Sequence, residues 1–252
     1  MNVLKLPAWW MLCLTIPCAQ VSVGQNSTQK EIPVLCYHNV CSKVSVAGDL
    51  WIDAASFESQ IRSLKDSGYM SILPDDLYSY LTMSEPLPPK PVIISFDDSH
   101  AEQATIAAPI LYRYGFKAVF FIMTVTIGKA GYLSASQIQE LSDEGNCIGS
   151  HSYDHPLVTG IEGTALKWQF YQSKITLEKL TGKQVLYAAY PYGVWNRQAV
   201  DTLRRLGYKA AFQLNGPKDM LEPLFTLRRI ITSGKWSGNT LQSHIRKSFK
   251  SL

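Results

Sequence analysis

Along most of this chain, short runs of apolar residues alternate with longer stretches whose apolar positions recur every three or four residues. The runs at 32–38, 92–96, 118–123, 146–150, 185–190, 209–213 and 224–231 have strand length. Several are apolar at nearly every position, as strands buried on both faces of a parallel sheet are. Helical periodicity marks 51–67, 75–81, 101–114, 134–144, 165–180, 196–206 and 239–249; in the first, Phe57, Ile61 and Leu64 share a face and Gly68 supplies the stop. Ser134 and Gln137 stand at capping-box spacing, and the four prolines within 85–91 predict a rigid extended connector. Strand and helix in alternation predict right-handed βαβ units around a parallel sheet in an α/β domain.

Seven strands fit a closed or nearly closed barrel as well as an open doubly wound sheet. The polar residues decide for the barrel. His38, Asp97 and Asp98, His151 and Tyr192 each follow a different apolar run, and a barrel brings such strand ends to one mouth. No glycine-rich phosphate loop follows the first run, which argues against a nucleotide-binding sheet.

Composition adds compartment and exclusions. The 252 residues are 46% hydrophobic and 11% aromatic, enough for a packed core. The net charge of +4 is scattered apart from Arg246, Lys247 and Lys250, so there is no nucleic-acid footprint. Lys5, an apolar core from Trp9 to Ile16 and small residues up to Gly24 have the layout of a secretory signal peptide cleaved before Gln25. That core is too short to span a bilayer, no later segment is apolar enough, and Pro17 makes Cys18 a poor lipid-attachment site. The expected organisation is a signal peptide over 1–24, a linker over 25–31 and one domain over 32–252, exported to the periplasm, cell envelope or medium. Cys36, Cys41 and Cys147 are then an odd set, which argues against a disulfide framework. They leave either a small Cys36–Cys41 loop disulfide or buried, inert thiols.

The run 92–96 ends abruptly in Asp97 and Asp98. Adjacent carboxylates at a buried strand end are unfavourable unless a cation, a proton or water compensates them; the plain alternative is that Asp98 or Ser99 caps a following helix. His151-Ser152-Tyr153-Asp154-His155 offers the compensation, because two imidazoles four residues apart can reach one ion at a Zn–N distance of about 2.1 Å. A carboxylate from another strand end completes a three-ligand set with room for water. Pro191-Tyr192-Gly193 predicts a tight turn whose Tyr192 N–H is a candidate oxyanion donor. No G-x-S-x-G elbow supports a serine hydrolase.

In this order and at this wide spacing, Ser95-Phe96-Asp97-Asp98, His151-Ser-x-x-His155 and Pro191-Tyr192-Gly193 resemble the polysaccharide deacetylases of carbohydrate esterase family 4, the NodB-homology domain. The resemblance covers nearly all of the chain after the signal and implies a distorted (β/α)7 barrel. It implies Asp97 as general base and Asp98, His151 and His155 as ligands of a divalent metal, zinc first, with cobalt, nickel or manganese as alternatives. Two departures stand out. Ala189 and Tyr190 occupy the stretch where family members often have an arginine that hydrogen-bonds the catalytic aspartate, and the usual late strand ending in an acid histidine is not evident, His244 lying in a predicted helix. The opening Val34-Leu35-Cys36-Tyr37-His38 resembles instead the branch acting on poly-β-1,6-N-acetylglucosamine. That branch has a circularly permuted barrel, takes its acid histidine from the first strand and commonly lacks the arginine. The resemblance thus implies His38 as acid, Pro191, Tyr192 and Gly193 at the substrate, and hydrolysis of N-acetyl groups from an N-acetylated polysaccharide with release of acetate; Trp195 is a candidate to stack on a sugar ring, with core packing as the alternative. Peptidoglycan, chitin and O-acetylated xylan are alternative substrates, and a non-catalytic carbohydrate-binding barrel is the alternative of another class.

Overall fold

The computed structural model describes residues 30–43, 48–214 and 216–249; the expected signal peptide and most of the linker lie outside these residues. The strands are β1 (Val34–Tyr37), β2 (Asn39–Cys41), β3 (Trp51–Asp53), β4 (Met70–Ser71), β5 (Pro91–Phe96), β6 (Val119–Ile122), β7 (Cys147–Ser150), β8 (Tyr187–Ala189), β9 (Ala210–Phe212) and β10 (Ile230–Ile231). The α-helices are α1 (Ala54–Asp66), α2 (Pro74–Met83), α3 (Ala108–Arg113), α4 (Ala135–Asp143), α5 (Gly163–Thr181), α6 (Arg197–Arg205) and α7 (Gly238–Ser248).

Parallel pairing runs β10-β1-β5-β6-β7-β8-β9. A bridge between Phe212 and Leu227 draws the end of β9 to the segment leading into β10, so the seven strands form a nearly closed, distorted barrel. Side chains alternate across it, as strand geometry requires. Val34, Ile93, Val119, Phe121, Tyr187, Ala189, Ala210 and Phe212 form the inner cluster, whereas Leu35, Tyr37, Val92, Ile94, Phe96, Phe120 and Ala188 pack outward under the helices. At Gly149 of β7 a Cβ would lie 2.5 Å from the Phe121 ring, so only glycine leaves room for that ring inside. Opposite the mouth, α2 closes the barrel: Leu77 joins the inner cluster, and Asp75 accepts the Tyr187 hydroxyl at 2.6 Å.

Three expected elements differ in detail. The periodic stretch from Trp51 begins as strand, because Trp51, Ile52 and Asp53 pair with β2; the helix starts only after Asp53, which caps it through Ser56 N–H at 2.9 Å. The stretch 101–114 is a π-turn over Gln103–Ala107 followed by the short α3. Pro109, which lacks an N–H, stands at that junction. The run 224–231 holds strand geometry only at Ile230–Ile231 plus the bridge at Leu227. Among the described residues, no helix is long and apolar enough to cross a membrane, and Cys36, Cys41 and Cys147 are free.

Candidate active site

Strand parity separates the two aspartates. Ile93 belongs to the inner cluster, so Ser95 and Asp97 face the barrel interior, and Asp97 is 2% exposed. The chain then leaves extended geometry. Asp98 and Ser99 both have left-handed backbone, with φ of 69° and 63°, which turns Asp98 to the rim. Neither caps the helical segment that follows, whose N-cap is Glu102; Ser99 Oγ instead accepts the N–H of Met123 at 2.7 Å, tying this turn to the end of β6. Ser152, His155 and Tyr192 are also left-handed, with φ between 58° and 65°. Non-glycine residues in this region are strained and persist where their surroundings over-determine them, characteristically at functional sites.

His151 follows β7 and is buried; its Nδ1 lies 2.9 Å from Ala189 O. A carbonyl only accepts, so Nδ1 carries the proton and Nε2 offers its lone pair to the mouth. Burial holds this ring below the ordinary imidazole range, against the pull of Asp97 and Asp98. His151 Nε2 and His155 Nε2 lie 3.6 Å and 3.7 Å from Asp98 Oδ1. Those gaps exceed hydrogen bonds and approach the about 3.4 Å that separates two ligands about 2.1 Å from one tetrahedral ion. Asp98, His151 and His155 therefore fit a divalent cation, with donor atoms all within 4.8 Å of one another.

Asp97 meets an arginine that the sequence did not reveal. Arg229, just before β10 and 1% exposed, donates from its two terminal nitrogens to Asp97 Oδ1 at 2.7 Å and Oδ2 at 2.8 Å. Its remaining donors reach Ser95 Oγ at 3.3 Å and Gln213 O at 3.2 Å. Burial pushes the Asp97 carboxyl upward, but the Arg229 charge, with His151, outweighs burial and holds it well below the usual carboxylate range. The position vacated at Ala189 and Tyr190 is thus filled from another strand. Ala189 contributes its carbonyl to His151.

His38, at the end of β1, joins Cys36 and Asp97 in a second cluster whose donor atoms lie within 4.8 Å of one another. Cys36 Sγ donates to Asp97 Oδ2 at 3.5 Å and lies 4.0 Å from His38 Nδ1. Gln103, fully buried in the π-turn, donates to the carbonyls of both Asp97 and His38 and so ties the two strand ends together. Tyr192, 59% exposed, packs edge-on to His155 with centroids 4.5 Å apart, within the 3-10 turn Pro191–Gly193. Trp195 is half-buried against the core, with its indole N–H on Gln213 Oε1 at 3.0 Å. His244 stacks on Trp236.

A parallel barrel that gathers an arginine-paired carboxylate and an aspartate–bis-histidine cluster at one mouth is built as a metal-dependent hydrolase. A family model described as "Polysaccharide deacetylase" matches residues 84–211, and the chain belongs to that family. The "Putative polysaccharide deacetylase YxkH" of Bacillus subtilis (strain 168) is 26% identical over 216 residues, 85% of this chain and 76% of its own. The poly-beta-1,6-N-acetyl-D-glucosamine N-deacetylase of Staphylococcus aureus (strain MSSA476) is 27% identical over 180 residues, 65% of this chain and 61% of that one. Among solved structures, the Streptococcus pyogenes deacetylase PplD in complex with acetate superposes with a TM-score of 0.79 at 26% identity, covering 85% of this chain and 98% of that one. IcaB from Ammonifex degensii gives 0.69 at 26% identity, covering 86% and 98%.

Proposed function

We propose that this protein removes N-acetyl groups from a β-linked N-acetylglucosamine polymer, poly-β-1,6-N-acetylglucosamine, by metal-assisted hydrolysis. The observation that supports the reading is the convergence of His38 on Asp97 beside the Asp98–His151–His155 cluster, a candidate proton donor and a candidate acceptor side by side. The Staphylococcus aureus relative supports the choice of polymer, and the signal-like N-terminus fits an exported enzyme that meets its substrate outside the cell.

Asp98, His151 and His155 would hold the ion, zinc by the nitrogen-rich donor set. When bound, a divalent cation polarises the acetyl carbonyl and acidifies water at the site. Asp97 accepts the proton of the attacking water, and Arg229 keeps that carboxylate ionised and fixed in orientation. The Tyr192 N–H donates to the oxyanion that develops on the acetamide oxygen. Protonated His38 donates to the departing amine, so the C–N bond breaks to acetate and a free glucosamine unit.

Acetate release from poly-β-1,6-N-acetylglucosamine, chitin oligomers, peptidoglycan and O-acetylated xylan tests the reading. The first is expected to be the best substrate, a chelator to abolish release, and Asp97→Asn to lower kcat by about 10²–10⁴ with metal content unchanged. No release from any of the four would leave a carbohydrate-binding barrel as the better account, and an active Asp97→Asn enzyme would remove the base assignment.

A further inference from the structure

The segment between the two histidines, Ser152-Tyr153-Asp154, has no regular secondary structure, yet its described backbone partners come from outside it. The Ser152 N–H is taken by Ser150 Oγ at 3.2 Å and the His155 N–H by Ser152 Oγ at 3.0 Å. The carbonyls of Ser152 and Tyr153 accept from the N–H groups of Thr124 and Val125 at 3.4 Å and 2.9 Å. The two middle N–H groups, of Tyr153 and Asp154, converge on one atom, Gln169 Oε1 of α5, at 3.1 Å and 3.2 Å. The same side chain, 8% exposed, donates its Nε2 to Asp154 Oδ1 at 2.7 Å.

We propose that Gln169 and Asp154 form a clamp that holds His151 and His155 at ligand spacing, making Gln169 a positioning residue for metal affinity. This rests on the proposed metal site. The chemistry at position 169 admits only a carboxamide. Two N–H donors demand an acceptor, and a carboxylate 2.7 Å away demands a donor. Leucine there strands two backbone N–H groups, and glutamate turns a donor into a second anion facing Asp154. With Ser152 and His155 held in left-handed geometry at φ of 65° and 63°, release of the clamp lets the segment relax toward unstrained conformations that separate the rings. Gln169 is outside the candidate ligand set and its described hydrogen bonds go to Tyr153 and Asp154, so its effect belongs to ligand preorganisation.

Zn²⁺ titrated calorimetrically into the chelator-treated full chain tests the clamp without reference to turnover. Gln169→Leu and Gln169→Glu are each expected to weaken binding about 10–100-fold, the range for residues that orient ligands from behind. Gln169→Glu combined with Asp154→Asn restores a donor opposite an acceptor and is expected to recover most of the loss. A folded Gln169→Leu chain with wild-type affinity would overturn the clamp. Should Gln169→Leu fail to fold, the Gln169→Glu pair decides, and a double variant no tighter than the single one overturns it equally. A wild-type chain that binds no Zn²⁺, Co²⁺, Ni²⁺ or Mn²⁺ would instead overturn the metal site itself.

Discussion

Asp97 and Arg229 are a full ion pair inside an apolar barrel, with each guanidinium nitrogen hydrogen-bonded. Such a pair adds little net stability over a hydrophobic substitute, but breaking it leaves an uncompensated buried charge, at about 3–5 kcal/mol. Arg229→Met is therefore expected to lower the unfolding free energy read from urea curves by that order and to abolish acetate release. Arg229→Lys keeps the charge, loses the two-point grip on the carboxylate and should fall between. Denaturation curves paired with activity assays check both. That Asp98, His151 and His155 come together near Asp97 was legible because their residue types sit in tight motifs at strand ends. Arg229 was not, although a trace existed. Two adjacent arginines, Arg228 and Arg229, in an apolar run of strand length must face opposite sides, so one of them points inward. Arg228 turns out to Glu31 at 3.0 Å while Arg229 points in. Gln169 and Gln103 left no trace, because the backbone groups they satisfy exist only once the loops are folded.

Local signals located most strands and helices but misjudged where one becomes the other. The periodicity that begins at Trp51 is genuine, yet pairing of Trp51, Ile52 and Asp53 with β2 takes the first three residues into a strand. Asp53 then does the work of a cap, accepting the N–H and hydroxyl of Ser56 at 2.9 Å and 2.8 Å. These hydrogen bonds hold its carboxyl below the usual range. Because the folded pKa is depressed, the stabilisation is present above the unfolded value of about 3.9 and is lost as pH falls through the folded value. Asp53→Ala is expected to destabilise the chain by about 1 kcal/mol at pH 7. The difference from wild type should shrink toward zero in melts taken below pH 4; a constant difference would show that Asp53 acts by packing alone. The π-turn at Gln103–Ala107 was read as ordinary helix because its apolar spacing is helical. The extra residue in that turn accompanies Gln103's reach to the two strand ends.

At the scale of the whole molecule, the parallel alternation and the choice of a barrel came through from the sequence. The way the ring closes did not, since it depends on one bridge rather than on a run of strand residues. Between β9 and the segment leading into β10 the described backbone contacts are the bridge of Phe212 with Leu227 and three hydrogen bonds, Ala211 N–H on Leu224 O at 3.0 Å, Leu227 N–H on Ala211 O at 3.0 Å and Gln213 N–H on Leu227 O at 2.9 Å. Arg229 follows two residues later and reaches back over the join to Gln213 O while gripping Asp97. Hydrogen–deuterium exchange is expected to release the Gln213 and Leu227 amides well before those of β5 and β6, which are paired on both edges. When that join parts, Arg229 gives up Gln213 O but stays beside Asp97, because Ile230 is paired with Leu35 of β1 and β1 with β5. The ring can thus open at its seam before its site fails: warming should strip these two amides of protection while acetate release and the helical circular dichroism signal are still intact.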